Sequence, residues 1–344
     1  MYMPKLKFFV SILVLSLFSI VALTGCSLKL PSLFPKVVPV SNLPVEAIIV
    51  DDAIYNRTLA LLESAQTSIY VEQAEFDDPR LIQLLLTKAN SGVDVRILLD
   101  QWQKANRATL DQLKSQNNPN ISIQFYPAQK GQINHTKLLI IDQKRALING
   151  PTWTSSGFQA HDLAIELSGK SAWKSAALFS KDWEFTTTFP LPVAKTSSLP
   201  EDNIVLAVNA NVKQQVSDLI SAGTKSIWIE NPEITDPDLI LALTNAAEKG
   251  RDVRIIGDRA VYSKTPVTLE KLKAKGVQIR YYPSSPPLGM HIAIFDNTSF
   301  LLSSSGWTHY SFVANHEFSI TVPSPAASVK FGELFKQDWN KSTE

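Results

Sequence analysis

The chain has 344 residues, 44% of them hydrophobic and 19% charged, a composition that builds cores and excludes a disordered chain. Lys+Arg (33) and Asp+Glu (32) cancel to a formal charge of +1, so the strongly basic balance of a dedicated DNA-binding protein is missing. A single cysteine rules out an internal disulfide framework and a Cys-based zinc site, and the length suits two domains of ordinary size.

Residues 1–25 read as an export signal. Lys5 and Lys7 supply a positive start, and Phe8 to Leu23 is apolar apart from serines. Leu23-Thr24-Gly25-Cys26 resembles the lipobox of bacterial lipoproteins. That resemblance implies cleavage before Cys26 and acylation of its sulfur, placing the globular part outside the cytoplasm on a lipid anchor. A transmembrane anchor with a free Cys is the other reading. Removing the signal leaves 31 basic against 32 acidic residues. Residues 26–43 hold Pro31, Pro35 and Pro39, with Pro44 just beyond, and read as a spacer from the membrane.

The remainder repeats itself. Thr67 to Gln73 (TSIYVEQ) matches Lys225 to Asn231 (KSIWIEN), and Gly92 to Ile97 (GVDVRI) matches Gly250 to Ile255 (GRDVRI). Ile123 to Pro127 matches Ile279 to Pro283, His135 is matched with His291, and Asp182-Trp183 with Asp338-Trp339. In the first copy Ala53–Ser64, Arg80–Ala89 and Lys174–Phe185 have helical apolar spacing. Ser68–Val71, Val93–Leu99, Ile121–Tyr126, Lys137–Ile141 and Arg145–Ile148 read as strands. The order β-α-β-α-β-α-β-β-β-α predicts an α/β fold: two tandem lobes, 44–187 and 203–344, each a mixed sheet flanked by helices. Pro190, Pro192 and Pro200 mark a crossover at 188–202. A pseudo-two-fold axis would bring equivalent residues of both lobes to one central site, so a monomer suffices for it.

The strongest local signal is His135-x-Lys137-x-x-x-x-Asp142. On a strand, His135 and Lys137 share a face. Together they suit one phosphate, the lysine neutralising its oxygens while the histidine attacks phosphorus or carries a proton.

His135, Lys137 and Asp142 inside a twice-repeated α/β unit resemble the HKD motif of the phospholipase D superfamily. Tyr70-Val71-Glu72-Gln73, Trp153 to Phe158 and the helix ending in Trp183 add to the likeness, which covers nearly all of residues 44–344. The resemblance implies two motifs meeting at the lobe interface, one His forming a phosphohistidine and the other moving protons, with no metal or other cofactor. It implies His135 as nucleophile, Lys137 on the phosphate, Asp142 as motif partner and His291 as general acid and base. Glu72 and Glu230 either orient the histidines or serve structurally at the interface. Thr152 and Ser304 each offer a phosphate one hydroxyl. Asn315-His316-Glu317 resembles an Asn-x-Glu that follows the second motif in relatives, and Trp153 and Trp307 are placed near the substrate entrance.

The second copy departs from the pattern. Ala293 stands where the motif, counted from His291, wants Lys. Asp296 comes two residues early, and Trp307 follows His291 by 16 residues where Trp153 follows His135 by 18. Three functions follow: a membrane-tethered phosphodiesterase, with phospholipid head groups favoured by the anchor; an extracytoplasmic nuclease, which the near-zero charge disfavours; or a binding and scaffolding lipoprotein without turnover.

Overall fold

Period-two burial lets each central strand serve two cores. In β2 (Ser68–Gln73), Ile69 and Val71 face an outer cluster while Tyr70 faces an inner one. In β5 (Leu138–Ile141), Leu139 and Ile141 point outward, and Leu138 and Ile140 inward. Strands with two apolar faces need helices on both sides.

A computed structural model describes residues 39–195 and 198–344, and Pro39–Glu344 forms one unit. The expected signal segment, Cys26 and the expected spacer up to Val38 lie outside the described residues. Among those described, no helix is long and apolar enough to cross a membrane.

Lobe 1 runs β1 (Ile48–Val50), α1 (Asp52–Ser64), β2, α2 (Pro79–Asn90), β3 (Asp94–Asp100), α3 (Lys104–Ser115), β4 (Ile121–Tyr126), β5, β6 (Arg145–Asn149), β7 (Leu163–Ser168) and α4 (Gly169–Thr187). Lobe 2 repeats the order with β8 (Val205–Val208), α5 (Ala210–Ala222), β9 (Ser226–Glu230), α6 (Pro237–Glu248), β10 (Asp252–Gly257), α7 (Arg259–Tyr262) and α8 (Pro266–Ala274). It closes with β11 (Gln278–Tyr281), β12 (Ile292–Phe295), β13 (Ser299–Ser303), α9 (His309–Val313), β14 (Phe318–Val322) and α10 (Pro325–Lys341). The sheets are ordered β1-β7-β6-β5-β2-β3-β4 and β8-β14-β13-β12-β9-β10-β11, the same topology twice. β2, β3 and β4 are parallel; β5, β6, β7 and β1 run antiparallel.

The predicted helices and strands are present. One element per lobe, β7 and its mate β14, was not foreseen, because Leu163 to Leu167 is almost wholly buried and shows no alternation. The middle cluster joins both lobes. It holds Phe179 and Trp183 of α4 beside Phe331, Phe335 and Trp339 of α10, so the two closing helices are packed between the sheets. Trp153 and Trp307 are 3% and 0% exposed: they belong to the outer cores, not to an entrance. The crossover after α4 runs back along lobe 1, where Gln143 donates to Pro192 O at 2.9 Å and Trp173 to Ala194 O at 2.6 Å.

Asp142 follows β5 and accepts the backbone N–H groups of Gln66, Thr67 and Ser68 at 2.7–3.1 Å. Asp296 follows β12 and does the same for Thr224, Lys225 and Ser226 at 2.7–2.8 Å. Burial acts to raise both carboxyls, and these donors outweigh it, holding both below the usual range. The two are equivalent staples at the start of β2 and β9. Asp142→Ala and Asp296→Ala should therefore each cost about 1–2 kcal/mol in urea unfolding, additively. The contribution is present above the ordinary aspartate range and disappears as acid titrates through the depressed pKa. A cost in one variant only would break the equivalence.

Candidate active site

The parallel strands β2, β3 and β4 end at Gln73, Asp100 and Tyr126, and the segment before β5 crosses those ends. Asn134 is fixed there: its N–H donates to Asp100 Oδ2 at 2.7 Å and its amide to Glu72 Oε1 at 2.7 Å, while its Oδ1 accepts from Thr136 N at 3.0 Å. His135 follows. Its backbone N–H donates to His316 O at 2.9 Å, across the lobe interface.

Its ring is held across the same interface. Nδ1 lies 2.6 Å from Glu317 Oε1 of lobe 2. Glu317 is 1% exposed and takes further bonds from Ser304 Oγ and, at 3.2 Å, from Asn315 Nδ2. Ser304 is thus committed to Glu317 and to Phe318 N, not open to a phosphate. Thr152, partly exposed, lies 3.4 Å from Thr154 Oγ1. Lys137 is partly exposed and forms no ion pair among the described residues. Asp142 stands at the other end of β5, roughly 16 Å beyond Lys137 at strand rise.

The two-fold mate of His135 is Gly289, not His291. Strand register decides it: Leu138 pairs with Glu72 and Ile148, and Ile292 pairs with Glu230 and Leu302. Backbone bonds agree. Lys137 O accepts from Asn149 N and His291 O from Ser303 N, both at 2.9 Å. Gly289 N donates to His161 O at 2.8 Å, as His135 N does to His316 O. His291 therefore stands in the place of Lys137. Ala293 is the mate of Leu139, buried in the outer core, and Asp296 is in register rather than early. The mismatch had a legible signal: 16 residues separate Lys137 from Trp153 and His291 from Trp307.

Asp162, the mate of Glu317, has no histidine to hold. A Cβ on Gly289 would lie 2.7 Å from Asp162 Oδ2 and 2.9 Å from its Cγ, so the carboxyl fills that space. Burial raises the Asp162 carboxyl to about 6, against the pull of Lys137. His291 is pushed well below its ordinary value by burial and then by the positive charge of Lys137, so its ring is neutral.

Glu72 and Glu230 face other histidines. His316 of lobe 2 sits against Asp182 and Glu72 of lobe 1, with Nε2 at 3.3 Å and 3.7 Å, and stacks on Tyr126. His161 of lobe 1 lies between Asp51 (2.8 Å) and Asp338 (3.1 Å), stacked on Tyr282, with Glu230 nearby. Each cluster brings a histidine nitrogen and two carboxylates within 4.8 Å, a spacing that ion pairing through a protonated ring satisfies. Sequence reasoning missed both, since the histidine and the carboxylates come from different lobes.

Two similar lobes, shared core helices and a histidine–lysine pair at their junction define a two-lobed phosphodiester-handling α/β protein. The family model described as "Cardiolipin synthase, PLD-like domain" matches residues 58–183 and 216–339, and the chain belongs to this family, within the phospholipase D superfamily of enzymes. Cardiolipin synthase A of Pseudomonas putida (strain GB-1) is 23% identical over 339 residues, covering 88% of this chain and 70% of that protein. Cardiolipin synthase of Alkalihalophilus pseudofirmus is 25% identical over 329 residues, covering 84% and 65%. The crystal structure of phosphatidylserine synthase from Haemophilus influenzae Rd KW20 shares the fold, with a TM-score of 0.68 at 14% identity over 86% of this chain and 87% of that one.

The Gly289 assignment has a direct consequence. Gly289→Ala should destabilise the protein by about 1–3 kcal/mol through the clash with Asp162 and cost little in an Asp162→Ala background. A urea double-mutant cycle reads the coupling, and additive effects would contradict the packing.

Proposed function

We propose that the protein is a membrane-tethered enzyme that cleaves or exchanges phosphodiester head groups of phospholipids through a phosphohistidine on His135. The observation that carries the proposal is the 2.6 Å contact of His135 Nδ1 with Glu317 Oε1. A carboxylate on Nδ1 fixes the proton there and leaves the Nε2 lone pair free to attack phosphorus. Lys137 neutralises the non-bridging oxygens. As the Nε2–P bond forms, the bond to the leaving oxygen breaks, and that oxygen takes a proton from His291. Water or an alcohol then gives a proton to His291 and its oxygen to phosphorus, freeing His135. Burial first, and Lys137 next, keep His291 neutral in the free protein; the proposed reaction requires the ring to gain its proton with the anionic diester bound, which offsets the charge of Lys137.

The substrate class is supported by the cardiolipin synthases among the relatives and by the lipobox-like Cys26, which would keep the site at a bilayer surface. Formal charge near zero also favours a lipid over a nucleic acid. A second reading, phospholipid binding without turnover, is favoured by one observation: Gly289 stands where the second motif places its histidine.

Vesicles of phosphatidylglycerol and phosphatidylcholine, assayed for head-group release and exchange, separate the two. Turnover should fall to background in His135→Ala, by about 100–1000-fold in Lys137→Ala and by about 100-fold in Glu317→Gln. Vesicle binding with no turnover would establish the second reading, and full activity in His135→Ala would remove the nucleophile assignment.

A further inference from the structure

We infer that His316 is a positioning residue for His135, a charged bolt between the lobes whose protonation sets the nucleophile's geometry; this rests on the reading of His135 as the nucleophile. The ring of His316 is gripped by lobe 1 while its backbone and the next side chain grip His135. Its Nε2 lies 3.3 Å from Asp182 Oδ2 of α4 and 3.7 Å from Glu72 Oε1 of β2, and the ring stacks on Tyr126 of β4 at 4.4 Å and 17°. Its N–H donates to Ile133 O and its carbonyl accepts His135 N–H, both at 2.9 Å. Glu317, the next residue, binds the His135 ring. Glu72 closes the circuit by holding Asn134, the residue before His135. A change in the His316–Asp182–Glu72 grip therefore reaches residues 133–136 from both sides.

The molecule holds its own control. His161 makes the mirror bolt, and its carbonyl holds Gly289, which bears no chemistry. The two bolts differ in the acceptor on Nδ1. His161 donates to the Asp51 carboxylate at 2.8 Å, and His316 to the Asn209 amide oxygen at 3.0 Å. That oxygen also accepts Glu317 N–H at 3.1 Å, which fixes the amide's orientation. They differ again beside the aspartates: Lys341 pairs with Asp338 at 3.0 Å, and Phe185 takes the corresponding place after Asp182. Two flanking carboxylates overcome burial and hold His161 charged up to about 10. For His316, burial opposes the charge and Asp182, Glu72 and its own neighbour Glu317 outweigh it, but Nδ1 faces a neutral amide rather than a second hydrogen-bonded carboxylate, and the ring is raised less. The Tyr126 phenol stays neutral, raised by burial and by Asp182 and Glu72.

The sign follows. A histidine raised in the folded state grips fully below its unfolded value of about 6.5 and lets go as pH rises through the folded value. Glu72, raised to about 8 by burial first and then by Asp182, sits against the same ring, and its ionised form favours the charged His316. His316 thus releases first, and His135 loses its positioning there.

The full-length chain, labelled with 15N-histidine and titrated by NMR, tests this. Asp51 sits at φ 55° and Asn209 at φ 53°, so an aspartate fits the Asn209 backbone, and Asn209→Asp remakes the mirror bolt. The His135 signals should move in step with His316. In Asn209→Asp both transitions, and the alkaline limb of turnover, should rise by about one pH unit, a tenfold shift in proton affinity. Asp51→Asn should lower the His161 transition and leave His135 unmoved. His135 signals that ignore the His316 transition, or an Asn209→Asp that shifts His316 alone, overturn the inference. Absent turnover with the NMR coupling intact would sink the proposed reaction and leave the positioning role standing.

Discussion

His135 meets Glu317 across 182 residues of sequence, and the contact exists only because two lobes are closed on each other. Closure is enforced by the shared core of α4 and α10, by the histidine bolts, and by two pairs of backbone bonds related by the pseudo-two-fold axis. A carboxylate with three donors around it, 1% exposed, holds one orientation. Apolar burial supplies the closing force, and the polar contacts choose a single register for it.

The duplicated frame carries an asymmetric load. The staples Asp142 and Asp296, the tryptophans Trp153 and Trp307, and the pairs Asp94–Arg96 and Asp252–Arg254 are kept in both lobes. At the junction the copies diverge: histidine against glycine at 135 and 289, lysine against histidine at 137 and 291, glutamate against aspartate at 317 and 162. The result is one well-held histidine, one lysine with no ion pair among the described residues, one neutral imidazole and one carboxyl that fills the space of a missing ring. Under the proposed reaction, a site of that kind leaves His135 as the nucleophile.

Much of this was legible in the chain. The repeat, the alternating elements and the His-x-Lys pair follow from apolar periodicity and local motif spacing, which are one-dimensional signals. What was not legible has a common cause. The roles of His161, His316 and Glu317 depend on partners in the opposite lobe, and no local pattern encodes such distances. The pairing of His135 with His291 failed for a different reason. It matched letters, whereas the sheet matches register, and the buried strand Ile292–Phe295 places Ala293 with Leu139. Counting back from Asp296 and Trp307, which the packing holds fixed, gives Gly289. β7 escaped because a strand buried on both faces carries no period.

The central claim is that a single histidine takes up the phosphoryl group. The most direct test is to quench the full-length protein in alkali during exposure to phosphatidylglycerol vesicles and to map phosphorus-linked adducts by peptide mass spectrometry. The account predicts an acid-labile adduct on His135 and none on His291. An adduct on His291, or turnover with His135 unmodified at every quench time, would contradict it.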